Sequence, residues 1–381
     1  MCRQFGICVC LGLVDRPLEI LFRKPLKPQS CLILICGVLL GVNFKDLIPK
    51  TPVKLEDLSG KIIAIDAYNT IYQFLTIIRQ PDGTPLKNSK DQITSHLSGL
   101  FYRTSNLIEM GIKPIYVFDG KSPILKSAEV ERRRQVKVEA VASYAKAEAK
   151  GDKEKMRQYA QVATTMKPYM VPESKSLLDL MGLPWIQAPS EGEAQAAYMN
   201  KKGDADYCAS QDYDSLLFGA PKLLRNVTIS GRRRRGKAFI EVVPEVVELR
   251  NALNDCELTY EQLIDVGILI GTDFNPDGIE GVGPKTALKL IRQHGTIEKA
   301  LPFIKNATFP CQPQEIREEF LHPKVTDDYK LDWRDPNEEG IIEFMSREKE
   351  FGEERIKKSI ERMTAGSKKQ KGKVSLEKWF G

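Results

Sequence analysis

Seven carboxylates draw attention by where they fall in this 381-residue sequence. Asp66 closes the apolar run that begins at Lys61, Asp119 closes Pro114-Ile-Tyr-Val-Phe, and Asp212 follows Tyr207-Cys-Ala-Ser-Gln. Glu191 and Glu193 lie in Ser190-Glu-Gly-Glu-Ala-Gln-Ala, Asp214 in Gln211-Asp-Tyr-Asp-Ser, and Asp273 in Gly271-Thr-Asp-Phe-Asn. A single Asp after a strand suits the turn that follows it, and acids in a first helical turn after serine are ordinary. Three strands that each end in Asp shift the reading towards a site. Two like charges 4 Å apart repel by about 4 kcal/mol at an effective dielectric near 20, so seven acids converging call for divalent cations. Oxygen-only ligands suit Mg²⁺ or Mn²⁺, whereas zinc favours Cys or His, and the chain has only three His. Two such ions about 4 Å apart stabilise the attacking and leaving oxygens of an in-line phosphoryl displacement.

The elements that must position these acids follow from hydrophobic pattern. The runs ending at Asp66 and Asp119 are short, nearly all-apolar strands. Between them Gln92 to Met110 carries Ile93, Leu97, Leu100, Phe101, Leu107 and Ile108 near one helical face. Strand and helix in alternation predict an α/β fold with a mostly parallel central sheet flanked by helices. The carboxyl ends of such strands open onto the ligand crevice, which is where the three aspartates fall.

Composition bounds the alternatives. At 42% hydrophobic and 28% charged the chain is globular rather than collagenous, fully disordered or a disulfide scaffold. Its longest apolar block, Cys31 to Val42, falls short of the ~20 residues of a spanning helix, so no membrane role is expected. Five of the eight cysteines lie in the first 36 residues, without paired zinc spacings, and the flanking charges fit no secretory signal. Residues 1–39 therefore read as non-structural.

Positive charge is concentrated in one place. Residues 121–167 hold twelve Lys or Arg against six Asp or Glu, a net +6 that equals the formal charge of the whole chain. This is an exposed helical excursion interrupted at Gly151-Asp152, and Lys126 and Arg133 share a face two turns apart. Cations beside a carboxylate cluster point to a phosphodiester substrate. Further on, Gly281-Val-Gly283-Pro-Lys285-Thr-Ala reads as a helix-hairpin-helix element whose free amides and Lys285 meet a DNA backbone phosphate. Arg232 to Arg235 read as the tip of a β-hairpin. Residues 366–373 read as a flexible linker before a terminal anchor of Leu376, Trp379 and Phe380 at i, i+3, i+4 spacing.

Together these segments resemble the structure-specific 5′ nucleases, in particular flap endonucleases of the archaeal type, from Gly41 to the C-terminus. The resemblance implies a single nuclease domain over residues 40–365, with an N-terminal nuclease region near 40–140, a helical arch near 121–170 and an internal nuclease region near 185–300. It implies that the seven carboxylates hold two Mg²⁺, replaceable by Mn²⁺, and that a K⁺ sits at the hairpin element. Lys126 and Arg133 then contact the scissile phosphate from the base of the arch, and Tyr72 stacks on the terminal nucleotide. Thr94, Lys349, Phe351 and Arg355 match positions lining a pocket for a one-nucleotide 3′ flap, and Arg103 one that holds the template strand. Residues 373–381 resemble a sliding-clamp motif, weakened by Lys373 where glutamine is usual. The implied activity is 5′ flap endonuclease with 5′ exonuclease, by a cytoplasmic monomer acting in Okazaki fragment maturation and long-patch base excision repair. Leu40 stands where relatives have their initiator Met, so residues 1–39 are expected to be upstream sequence. The alternative is a non-catalytic, clamp-recruited junction binder, which binds flaps without Mg²⁺ and turns nothing over.

Overall fold

The computed structural model describes the backbone of residues 42–80, 83–229, 231–235, 238–305 and 307–380, with the side chains of 128, 153, 232–240 and 369–380 left out. The reading of residues 1–39 lies outside this range.

The centre is a seven-stranded sheet in the order β1-β9-β6-β5-β2-β3-β4. Its parallel core comprises β2 (Ile62–Asp66), β3 (Lys113–Phe118), β4 (Trp185–Gln187), β5 (Tyr207–Ala209) and β6 (Lys222–Arg225). β9 (Glu245–Glu248) and β1 (Thr51–Pro52) extend one edge antiparallel. The expected α/β class with a mostly parallel sheet holds. Side chains of β2 and β3 alternate between two cores, as the two-residue period demands. Ala64, Ile115 and Val117 face one, and Ile63, Ile65, Tyr116 and Phe118 the other. Helices cover both faces, so these strands are apolar throughout rather than alternating with polar residues.

The first helices are α1 (Ala67–Ile77), α2 (Ser95–Glu109), α3 (Ser127–Ala149), α4 (Lys153–Val162) and α5 (Met170–Leu180). α3 and α4 form the basic excursion, and the break between them falls at the expected place, with Gly151 at φ +67°. Next come α6 (Gly192–Lys202), α7 (Asp214–Leu217), α8 (Leu249–Cys256) and α9 (Tyr260–Ile270). A capping box between Thr259 and Gln262 starts α9, and Gly271 at φ +117° ends it. The chain continues through α10 (Pro284–His294), α11 (Ile297–Ala300), α12 (Pro313–Leu321), α13 (Glu338–Ile342) and α14 (Glu353–Phe380).

Two local expectations change. Residues 366–373 are not a loose linker, because the backbone of α14 runs unbroken from Glu353 to Phe380. Gly366 lets α14 press on the end of α2, where a Cβ would stand 2.5 Å from the Ile108 carbonyl oxygen. The Lys, Gln and Ser that follow are compatible with a helix already nucleated at Glu353. The second change concerns the arginine run. It is the body of β7 (Gly231–Arg235), paired antiparallel with β8 (Ala238–Val242), rather than only the hairpin tip. No helix among the described residues is long and apolar enough to cross a membrane.

Candidate active site

The carboxyl ends of the parallel strands deliver the acids to one edge. Asp66 is the last residue of β2 and the N-cap of α1, accepting the Asn69 amide at 3.0 Å. Asp119 follows β3 directly, whereas Asp212 sits on a turn three residues beyond the end of β5. β4 leads into Glu191, the N-cap of α6, with Glu193 in its first turn. Asp214 opens α7, and Asp273 lies in the loop after α9. Gly192 between the two glutamates is fixed by space. Its amide donates to Asp119 Oδ1 at 2.7 Å, and a Cβ would stand 2.7 Å from that oxygen and 3.0 Å from the Val117 carbonyl oxygen.

The electrostatics agree with convergence, because six of the seven acids are raised in part by others of the set. Burial, reinforced by Asp119, pushes Asp66 up to about 8. Burial and then Asp66 push Glu193 to about 8. Burial raises Asp212 and Asp214 well above the carboxylate range, with Glu193 and Asp273 respectively the next largest causes. Asp119 and Glu191 are raised too, burial foremost. Asp273 goes the other way: burial opposes its charge, but Lys126 and Arg133 outweigh burial and hold it below the ordinary value.

The two basic residues reach into this cluster from the start of the excursion. Lys126 Nζ lies 2.6 Å from Glu191 Oε1 and 2.9 Å from Asp273 Oδ2, and Arg133 Nη2 lies 2.8 Å from Asp273 Oδ1. Burial disfavours both cations, yet Asp273 with Glu191 keeps Lys126, and Asp273 with Glu129 keeps Arg133, firmly charged. Among the described residues no three acids already stand as one ligand group, and two of the seven, Glu191 and Asp273, are paired with Lys126 and Arg133. The donor chemistry nonetheless fits hard divalent cations. Every donor is a carboxylate oxygen, mutual repulsion marks a place short of positive charge, and none of the histidines takes part: His96 pairs with Glu173, His322 with Glu318, and His294 stacks on Phe303.

The remaining expected residues are distributed around this centre. Tyr72, on α1, donates its hydroxyl to the Thr164 carbonyl at 2.5 Å, and Lys137 lies over its ring at 4.8 Å. Burial pushes that hydroxyl up to about 12. The face expected to stack on a nucleotide is thus covered by a cation of α3. At the hairpin element Gly281 takes φ +84°, Gly283 caps α10 and Pro284 opens it. Lys285 is exposed, and a Cβ on either glycine would meet nothing, so the loop backbone faces open space.

The four residues expected around a 3′ flap fall at the starts of two helices, Thr94 at that of α2 and Lys349, Phe351 and Arg355 around that of α14. Thr94 is buried at the N-cap of α2, and Lys349 pairs with Glu173 at 2.5 Å. Phe351 packs partly buried against the core, while Arg355 stacks on Tyr102 at 4.3 Å beside a groove of about 480 Å³ between α2 and α14. Arg103 lies on α2. Leu376, Trp379 and Phe380 fall on the helical backbone of α14, their side chains outside the description.

Three contacts escaped the sequence reading. Asn69 donates to Asp212 Oδ2 at 2.6 Å, Ser210 donates to Glu193, and the Val42 amide donates to Asp214 Oδ1 at 2.7 Å. The Asp66-x-x-Asn69 spacing at a strand-to-helix junction signals the first. Val42 lies 172 positions from Asp214, and no local pattern links them.

Known proteins resemble this chain in both sequence and fold. Residues 44–140 match the XPG N-terminal domain and residues 182–273 the XPG I-region. The chain is 53% identical over 349 residues to flap endonuclease 1 of Staphylothermus marinus, covering 90% of this chain and 100% of that one. It is 51% identical over 349 residues to flap endonuclease 1 of Pyrococcus abyssi, covering 90% and 98%. Among solved structures, flap endonuclease-1 from Methanococcus jannaschii superposes with a TM-score of 0.68 at 43% identity, covering 87% of this chain and all of that one. The catalytic core of Rad2 in complex with DNA substrate, at 23% identity and a TM-score of 0.63, shares the fold. An acid cluster at the end of a parallel sheet, two cations reaching into it, and half-identity to relatives over their whole length lead to one conclusion: this chain belongs to the flap endonuclease 1 family.

Proposed function

We propose that this protein is a divalent-metal-dependent nuclease that cuts 5′ flaps from branched DNA, with 5′ exonuclease activity. The observation that carries the reading is the approach of Lys126 and Arg133 to Glu191 and Asp273 within a set of buried carboxylates at the carboxyl edge of the sheet. Asp66, Asp119, Glu191, Glu193, Asp212, Asp214 and Asp273 would hold two Mg²⁺, or Mn²⁺ in their place. Two such ions, when bound, supply a more acidic water and offset the charge that builds on the phosphate and the leaving oxygen. The cluster's own fields then orient the reacting groups, while Lys126 and Arg133 exchange their carboxylate partners for the scissile phosphate and take up its charge. Tyr72 receives the terminal base once Lys137 leaves its face.

Specificity rests on DNA shape, gripped through backbone contacts. The amides around Gly281 and Gly283, with Lys285, hold the duplex backbone beside a K⁺. Thr94, Lys349, Phe351 and Arg355 receive a one-nucleotide 3′ flap, and Arg103 the template strand. By the same reading the protein is a cytoplasmic monomer, tethered to a sliding clamp through residues 373–381 with Leu376, Trp379 and Phe380. It serves Okazaki fragment maturation and long-patch base excision repair.

The test uses a duplex with a labelled 5′ flap and a one-nucleotide 3′ flap, in Mg²⁺ or EDTA, with the wild type and Asp214→Ala. Incision one nucleotide into the duplex, lost in EDTA and in the variant, is the expected result. Flap binding without incision in either Mg²⁺ or Mn²⁺ would overturn the reading in favour of a junction binder.

A further inference from the structure

Arg133 is held from two sides by partners of different kinds. Its Nη2 meets Asp273 across the site at 2.8 Å, and its Nε meets Glu129 Oε1, one turn earlier on α3, at 2.6 Å. Glu129 binds Arg132 as well, with Oε2 taking Nε at 2.6 Å and Oε1 taking Nη2 at 3.0 Å. The carboxylate is only 3% exposed on a helix whose neighbouring positions are largely open to solvent. A Glu–Arg pair at i, i+4 on an exposed helix contributes a few tenths of a kcal/mol and needs no burial. Taking a carboxylate out of water is costly unless its partners are fixed, so burial of Glu129 beneath two guanidinium groups calls for more than helix stability.

We infer that Glu129 is a positioning residue for the nuclease reaction: it clamps Arg133 by the Nε edge so that the Nη edge faces the carboxylate cluster. The inference rests on the reading that Arg133 takes up charge on the phosphate. An arginine side chain carries about 2 kcal/mol of rotamer entropy, and a clamp on Nε removes much of that before substrate arrives. Because Glu129 and Arg133 ride on the same helix, the clamp survives any movement of α3 against the sheet, whereas the Asp273 contact does not. Lys126 has no equivalent among the described residues, for both its carboxylate partners, Glu191 and Asp273, lie across the site.

The experiment measures single-turnover flap cleavage in Mg²⁺ and flap affinity in Ca²⁺ for Glu129→Gln, Glu129→Asp, Arg133→Ala and the double variant Glu129→Gln/Arg133→Ala. Far-UV circular dichroism checks helix content. Glu129→Gln is expected to slow cleavage about tenfold with affinity within about twofold of wild type, through misplacement of the guanidinium. Glu129→Asp, which keeps the charge but shortens the reach, is expected to slow cleavage too. Arg133→Ala should lose about a hundredfold, and adding Glu129→Gln to it should cost nothing more. Wild-type rates in both Glu129 variants beside a slow Arg133→Ala would overturn the inference alone. So would a full further loss in the double variant, since that marks a structural role for Glu129. A wild-type rate in Arg133→Ala would overturn the parent reading of Arg133, and the inference with it.

Discussion

Replacing Gly192 by alanine tests whether the glutamate-bearing helix and the β3 aspartate are fitted to one another. The added methyl would stand 2.7 Å from Asp119 Oδ1 and 3.0 Å from the Val117 carbonyl oxygen. Restoring ordinary contact near 3.4 Å requires the Asp119 carboxylate to withdraw by about 0.7 Å, or the start of α6 to lift from the strand. Withdrawal stretches the 2.7 Å bond from the Gly192 amide beyond useful range. Losing a hydrogen bond to a charged acceptor costs about 1.5–3 kcal/mol, against which alanine returns up to about 1 kcal/mol of helix propensity. The net loss, about 1 kcal/mol, lowers Tm by roughly 2 °C in a chain of this size. The effect on cleavage is larger, because a misplacement approaching 1 Å at a reacting centre costs up to about a hundredfold. The expected signature is therefore a small loss of Tm by differential scanning calorimetry beside a large loss of single-turnover rate on a 5′ flap. A rate within twofold of wild type would refute the argument, as would a rate loss wholly explained by unfolding.

Three other perturbations probe separate parts of the structure. Lys126→Ala frees Glu191 and Asp273 from a competing cation, so Mg²⁺ binding measured by calorimetry on the DNA-free protein should tighten, by up to about tenfold for one displaced ion pair; equal or weaker binding would contradict this. Arg317→Met leaves Asp265, 3% exposed and bonded to the Ile297 amide, without its cation. Breaking such a pair should cost about 3 kcal/mol in a denaturant titration, and an unchanged midpoint would count against it. Finally, Glu173 is held below its ordinary 4.5: burial acts against its charge, but bonds from His96 and Lys349 prevail. His96 is held below 6.5 by burial, with Lys349 adding to the shift and Glu173 opposing it. The unfolded chain binds protons first at both sites, so stability falls as pH drops from 6.5 through 4.5 and below. Tyr169, 6.2 Å from the His96 ring and raised above its ordinary value by burial, stays neutral across this window. Glu173→Gln should lower Tm at pH 7.5, remove the glutamate's share of the decline below pH 4.5 and, because Glu173 opposes the shift of His96, steepen the decline near pH 6.5; an unchanged profile in both windows would exclude this contribution.

Much of the site was legible in the sequence because its acids sit at junctions with strong local signals. An apolar run that stops at Asp66 or before Asp119 marks both the strand and its carboxyl end, and parallel topology puts such ends together. Glu191 and Glu193 announce themselves by flanking a glycine before a helix. Asp212 was less exact, since β5 ends three residues earlier and the acid rides on a turn. The tail misled because its Gly, Ser and Lys composition is that of a linker, whereas its backbone continues the helix that starts at Glu353, with Gly366 close against the end of α2.

Local sequence determined which residues are strand ends, where the basic excursion breaks, and which glycines the hairpin element needs, because each depends on hydrophobic period, turn chemistry or backbone freedom within a few residues. Tertiary structure alone decided the partners. Lys126 and Arg133 meet an aspartate about 140 residues away, the Val42 amide meets Asp214, and Lys349 meets Glu173. Such pairings follow from how helices seat on the sheet, and seating is a sum over many apolar contacts that no single residue encodes. Charge shows the difference most plainly. The sequence supplies seven acids and a basic stretch, but only burial in one crevice pushes Asp66 and Glu193 to about 8 while two cations keep Asp273 ionised.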